Sequence, residues 1–194
     1  MNALRSVLVL LALAVPATAN AALIPEPKVS YSGDVTVFKD GAKAMSMTVY
    51  QTKSKLRMDF TVDRHKVAAI ADLDSGYGYF LLFGRKEYMK GPLEGPMAYR
   101  ISFDREGARM KRVRRERVNG LRATKFRVRS RTSVGDYFDG YVWRTKHGLV
   151  LRMIGKWRRK GGTVKYVMNL TNVRIGRQSP RLFTVPAGYR RVKK

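Results

Sequence analysis

Two histidines and two close pairs of aspartates are the groups through which this chain could carry acid–base or metal chemistry. His65 and His147 each sit beside turn residues, where an imidazole is ordinarily solvated and holds no fixed relation to a substrate proton. A metal site would need carboxylates or imidazoles converging from distant strands. Asp72 with Asp74, and Asp136 with Asp139, look instead like turn residues whose side chains accept bonds from nearby backbone N–H groups. Cysteine is absent, which excludes a thiol nucleophile, a disulfide scaffold, an iron–sulfur cluster, a cysteine zinc site and the lipid-modified cysteine of a lipoprotein. No G-x-S-x-G, H-E-x-x-H or phosphate-cradling glycine loop occurs. The chain therefore reads as non-enzymatic, with no catalytic residue, metal ligand or cofactor to assign.

Binding chemistry is better represented. Residues 105–131 hold twelve Lys or Arg against two acids, Glu106 and Glu116. On a hairpin every second side chain points the same way, so these cations line both faces of the sheet. Arginine at that density suits multivalent phosphate or carboxylate contacts. It equally suits an edge hairpin kept charged against edge-to-edge pairing. The whole chain carries net charge +26, a field that attracts lipid headgroups, lipopolysaccharide phosphates, nucleic acid or acidic proteins, and that also keeps copies soluble. Tyr137, Phe138, Tyr141 and Trp143 place aromatics near the basic hairpin, as a single-strand binder would. They fall on alternating strand positions, however, which is the pattern of core, and nucleic acid is not the expected partner.

The apolar residues are rich in methionine: Met45, Met47, Met58, Met89, Met97, Met110, Met153 and Met168. Flexible, polarisable thioethers suit a surface that accepts variable apolar ligands, although each one singly is also an ordinary core residue.

The elements that must position these groups are strands. Period-2 alternation runs through Val29–Lys39, Ala44–Gln51, Lys55–Val62, Lys66–Asp72 and Tyr77–Phe83, and the last of these is apolar on both faces. It resumes over Lys111–Val118, Leu121–Ser130, Tyr137–Thr145, Leu149–Trp157 and Thr163–Ile175. Asp40-Gly41 and Asn119-Gly120 are hairpin turns by type. Between Gly91 and Gly107 the alternation fails around two Gly-Pro steps, which predicts a loop with a short helix that covers an open sheet. About ten strands with no long helical pattern and no linker give one antiparallel, mainly β domain.

Residues 1–21 predict export. Arg5 precedes an apolar run, Ser6–Val15, and Ala19-Asn20-Ala21 before Ala22 is the preferred cleavage site of A-x-A type, with Ala17-Thr18-Ala19 before Asn20 the near alternative. The run is too short to span a bilayer core, which needs about 20 residues. Cleavage leaves residues 22–194 as a single domain, and loss of Arg5 brings the net charge to +25. Export without disulfides fits a Gram-negative periplasm.

Several segments together resemble the LolA/LolB-type lipoprotein-carrier superfamily. They are Tyr31-Ser32-Gly33, Lys55-Leu56-Arg57-Met58, Val118-Asn119-Gly120-Leu121, Gly140-Tyr141-Val142-Trp143 before His147-Gly148-Leu149-Val150-Leu151-Arg152, and the ending Leu182-Phe183-Thr184-Val185-Pro186-Ala187-Gly188-Tyr189. The closing F-x-V-P-x-G-Y is the most specific of them. The resemblance implies a half-open β-barrel, one strongly curved antiparallel sheet with a short helical or loop lid, over residues 22–194. It implies non-enzymatic binding of a lipid or acylated, lipoprotein-like ligand in the periplasm, in lipid or lipoprotein trafficking. The MucB/RseB-type regulators share that fold, so the alternative is an envelope regulatory protein that docks an acidic protein partner through its basic surface.

On this reading Met45, Met47, Leu56, Met58, Phe60, Tyr79, Leu81, Trp143, Leu151, Met153 and Trp157 line the apolar concave face, as core or as cavity. Arg109, Lys111, Arg112, Arg114, Arg115, Arg117, Arg127 and Arg129 meet anionic headgroups at a membrane surface.

Overall fold

Short turns, of Asp-Gly and Asn-Gly type at two of them, make most strands pair with their sequence neighbours, so meanders dominate the architecture. The structure, a computed structural model, describes residues 22–23, 27–93, 102–103, 109–131, 137–159 and 161–192. Its strands are β1 (Ala22–Leu23), β2 (Tyr31–Lys39), β3 (Ala42–Gln51), β4 (Lys55–Val62), β5 (His65–Asp72), β6 (Tyr77–Leu82), β7 (Glu87–Pro92), β8 (Ser102–Phe103), β9 (Arg109–Val118), β10 (Leu121–Arg131), β11 (Tyr137–Arg144), β12 (Val150–Arg159), β13 (Gly162–Ile175) and β14 (Arg190–Arg191). β1 and β8 form a parallel pair. The other twelve build one sheet in the order β14-β7-β6-β5-β4-β3-β2-β13-β12-β11-β10-β9. Two meanders, β2–β7 and β9–β13, meet where β13 pairs antiparallel with β2. The sheet does not close into a barrel; it is a curled, half-open sheet ending in β14 and β9.

The hairpins form as their sequences dictate. Asp40 and Gly41 have φ of 50° and 86°, and Asn119 and Gly120 have φ of 50° and 78°, the left-handed pairs of a two-residue hairpin turn. Asp63 and Arg64 adopt the same conformation without a glycine (φ 47° and 67°), so Arg64 carries local strain.

Three sequence expectations need correcting. Glu87–Pro92 is a strand, so Gly91-Pro92 continues the sheet and does not open the loop. Asp139 is a residue of β11 that pairs with Arg127 and Arg129, not a turn residue. Within the predicted lid, Ser102–Phe103 is a strand, whereas residues 94–101 and 104–107 lie outside the described residues. The predicted signal peptide, 1–21, and Asp136 lie outside them as well.

Strand register separates the two faces. On the apolar face, one row runs Arg112, Phe126, Val142, Met153, Met168, Val37, Met45 across seven neighbouring strands, β9 to β3. At about 4.8 Å per strand that row spans roughly 29 Å. The neighbouring row Leu170, Val35, Met47, Phe60, Val67, Leu82 continues the same face to β6. Val128, Phe138, Val142 and Met153 form one buried cluster on this face, and Val67, Ala69, Phe80 and Leu82 another.

The opposite face differs between its ends. Over β5 and β6 it is covered by the chain that follows β13, where Pro180–Phe183 forms a 3-10 turn. Phe183 packs with Ala68, Ile70 and Leu81, joined by Leu182, Val185 and Tyr189. The F-x-V-P-x-G-Y ending is thus the cover of this end of the sheet. Beneath it, Arg57 is only 8% exposed; its guanidinium donates to the Leu182 carbonyl (2.9 Å) and to both oxygens of Asp59 (2.6 and 3.1 Å). Over β9–β12 this face carries cations and aromatic rings.

Candidate functional site

The site begins with a mismatch in strand pairing. β3 pairs with β4 only from Met47–Phe60 to Gln51–Leu56. Beyond that, β3 continues to Ala42 alongside β2, while β4 turns at Asp63-Arg64 into β5. The strands part and leave a cleft of about 470 Å³, within the roughly 300–1,000 Å³ typical of small-molecule sites. Met45, Met47 and Phe60 supply apolar lining; Lys43, Asp34, Ser46, Thr48, Asp59 and Thr61 supply polar lining.

The polar wall is pre-bonded. Asp34 accepts from Thr48 Oγ1 (2.9 Å) and from Asn172 Nδ2 (2.8 Å), and Asp59 accepts from Arg57. These carboxylates are held by protein donors on β3, β4 and β13. On the apolar side, Phe60 meets Phe80 edge to face at 6.3 Å, which fixes the ring at the back of the cleft.

The structure brings part of the predicted apolar set together. Met45, Met47 and Phe60 line the cleft; Met58 packs behind them against Val67, Ala69 and Phe80; Leu56 follows on the same strand and face. Met153 is buried in the other apolar cluster, and Trp157 packs on it with its ring 5.6 Å from Phe138. Leu151 is fully buried with Leu149 and Leu170. Tyr79 and Leu81 are separated from this group: they lie on the opposite face, under Phe183 and Leu182. Trp143, in register with Lys125 and Arg152 and on the face away from Val142, is buried in the same cluster as Leu149, Leu151 and Leu170.

The eight predicted anion contacts divide in the same way. Arg112, Arg115 and Arg117 share the apolar face with Phe126, Thr124 and Arg122. Arg109, Lys111, Arg114, Arg127 and Arg129 lie on the other face. There they alternate with rings: Lys125 Nζ stands 4.2 Å from the Tyr141 centroid and 4.9 Å from that of Trp143, and the Arg127 guanidinium 5.0 Å from that of Tyr141. Glu116 is held there by the Trp143 indole N–H, which donates to it, and by Arg114. The Trp143 bond, then Arg114, keep its carboxyl below the usual range. Across the sheet, burial pushes the Tyr31 phenol up to about 12.

Asp72 is the turn residue that its sequence suggests, accepting from the N–H groups of Asp74 and Ser75. Among the described residues no three of His, Cys, Asp and Glu converge on one point. Sequence reasoning missed the polar half of the cleft, Asp34, Lys43, Thr48 and Asp59. Their rank across adjacent strands depends on where β3 and β4 separate, for which alternation gives no signal.

No protein-family model matches the chain, and no curated protein sequence matches it. Solved structures do. An uncharacterized conserved protein from Thermus thermophilus superimposes with a TM-score of 0.57 at 11% identity, covering 99% of each chain. MucB gives 0.44 at 15% identity, over 93% of this chain and 62% of its own. A domain from Vibrio parahaemolyticus provisionally assigned to outer membrane lipoprotein sorting gives 0.36 at 13% identity, over 82% and 91%. The Thermus likeness shows a shared fold. MucB and a domain provisionally assigned to lipoprotein sorting stand among these likenesses.

Proposed function

We propose that this is a non-enzymatic envelope protein of the periplasm that binds the acyl chain of a lipid or lipidated protein. The chain enters at the β3–β4 cleft and lies along the apolar face. The observation that carries the reading is the cleft itself, where Met45, Met47 and Phe60 are open to a ligand at one end of a continuous apolar row. Three thioethers in that row, Met153, Met168 and Met45, can repack around chains of different length. Arg112, Arg115 and Arg117 share that face at its far edge and are the cations placed for an anionic headgroup. The cationic opposite face supports a second reading, an envelope protein that docks an acidic partner there.

The test is native mass spectrometry with lipid extraction on protein purified from a bacterial periplasm, followed by titration with saturated fatty acids of increasing length. A bound lipid, and affinity that rises several-fold per two methylenes until the cleft is full, is the expected result. Met47→Glu should abolish the length dependence. A protein that is empty as purified and stays empty with added phosphatidylglycerol would overturn the acyl reading.

A further inference from the structure

We propose that β9 is a docking edge at which an acidic, extended peptide segment adds as a thirteenth strand of the sheet. Among the described residues β9 has a neighbour on one side only, β10. The backbone geometry of its free side follows from the hairpin. Val118 and Leu121 close the two-residue turn and exchange hydrogen bonds, so Glu116 and Arg114 also bond inward. Arg115 and Arg117 therefore direct their backbone N–H and C=O groups outward, away from β10. Both side-chain faces are open too: Arg109, Lys111, Arg112, Val113, Arg114, Arg115 and Arg117 are all exposed, Val113 at 49%.

Charge selects the occupant. β9 holds six cations and one acid in ten residues, and that acid, Glu116, is already engaged by Trp143 and Arg114. A second copy of the same edge would set cation against cation, so self-pairing is disfavoured. A strand with carboxylates on both faces would meet Arg112, Arg115 and Arg117 on one side and Lys111 and Arg114 on the other, while its main chain pairs with Arg115 and Arg117. Strand addition of this kind takes its affinity from backbone bonds and its specificity from side chains. The skipped residue between Lys125 and Phe126 in the β9–β10 register bends the edge at Val113 and limits the straight docking run to the residues nearer the turn. This inference rests on the docking reading of the basic surface; it does not use the β3–β4 cleft, although Arg112, Arg115 and Arg117 are also the residues proposed for an anionic headgroup.

The experiment titrates the purified protein with a blocked ten-residue peptide that repeats Glu-Glu-Thr-Thr, which as a strand presents glutamates on both faces. Three companions have the same residue order: two are N-methylated at alternate residues, one in each phase, and one carries D-residues at alternate positions so that it cannot extend as a strand. The expected result is that the unmodified peptide binds about tenfold more tightly than the D-containing one, roughly the worth of two net backbone hydrogen bonds. One N-methylation phase should lose that advantage and the other keep it. Amide exchange at Arg115 and Arg117 should slow on binding. Arg115→Pro, which removes an outward N–H and no bond to β10, should erase the advantage; if that variant does not fold, the methylated peptides against the parent protein decide. Equal affinity for all peptides would overturn strand addition and leave docking by charge. No peptide binding at low salt would overturn both, and binding confined to phosphatidylglycerol vesicles would identify the edge as a membrane contact.

Discussion

Gly140 and Gly155 face each other across β11 and β12, and replacing either by alanine tests the register on which the apolar face is built. A Cβ on Gly140 would press on the Ile154 carbonyl oxygen, 2.6 Å from Gly155 Cα and 2.7 Å from Phe138 Cζ. Carbon pairs are comfortable at about 3.5–4.0 Å, so the overlap is on the order of 1 Å and two of its three obstacles are backbone. Overpacking of this kind costs about 1–3 kcal/mol where side chains can yield. Here the strands themselves must move apart, weakening ladder bonds worth about 1 kcal/mol each. The entropic gain of Gly→Ala returns about 0.4–1 kcal/mol. The net for Gly140→Ala is a loss of about 3 kcal/mol, which lowers Tm by about 6–12 °C in a chain of this size. Gly155→Ala meets the Phe138 ring as well as the Asp139 carbonyl, each at 2.7 Å. Its loss, about 2 kcal/mol, should shrink when Phe138 is also shortened to leucine, because the ring is then gone. Urea denaturation of the four single and double variants measures these values and their coupling. Gly140→Ala within about 0.5 kcal/mol of the parent would refute the register and the rows read from it.

Three further outcomes follow from individual groups. Arg57→Ala, which leaves the Leu182 carbonyl and Asp59 without their donor under the C-terminal cover, should destabilise by about 2–4 kcal/mol and expose the 180–192 segment to protease earlier than the rest of the chain. The Tyr31 phenol, raised from 10.0 to about 12, favours the folded state below pH 10 and loses that contribution as pH rises through 12; the difference in ultraviolet titration between the parent and Tyr31→Phe should place one tyrosine late. Glu116 is shifted the other way, so its contribution is present above the ordinary carboxylate pKa and is lost as pH falls through the lowered one. The stability deficit of Glu116→Gln should be complete near pH 6 and narrow below about pH 4.5, and Trp143→Phe should bring the Glu116 titration, followed by NMR, back toward 4.5.

The strands were legible because their information is local. Lys55–Val62 is bounded by turns that fix it, and the structure returns the same eight residues. Tyr77–Leu82 was readable as covered on both faces, since Tyr79 and Leu81 alternate with Phe80 and Leu82. What covers the second face was not, because Phe183, Val185 and Tyr189 arrive from about a hundred residues further along. That distance also explains β7: Tyr88 and Met89 pack on opposite faces, so the segment shows no polar–apolar alternation to betray a strand. Tyr79 and Leu81 were grouped with the concave set on hydrophobicity alone, and only pairing with β5 reveals which way each points. The cleft depends on still less visible information, namely that β3 is longer than its pairing with β4.

An open sheet has two liabilities, an apolar face and unpaired edges, and this chain treats its two ends differently. At one end Arg190–Arg191 lies parallel on β7, with Arg190 bonded to Glu87, and the C-terminal segment covers the face beside it. At the other end β9 carries charge in place of a cover. Charge is a conditional protection, because it repels copies of itself and neutral strands gain nothing from it, yet it attracts a strand of opposite sign. A covered edge would need no arginines, and an edge meant only to be inert could alternate lysine with glutamate and carry no net field. Six cations against one engaged acid exceed what solubility requires in a chain whose net charge, +26 in all, stays strongly positive without them. The excess lies on an edge that, among the described residues, has a neighbour on one side only, where neutralising it also completes a row of backbone hydrogen bonds. The two effects reinforce each other only for an extended acidic segment, since a membrane surface can supply the charge but not the backbone partners.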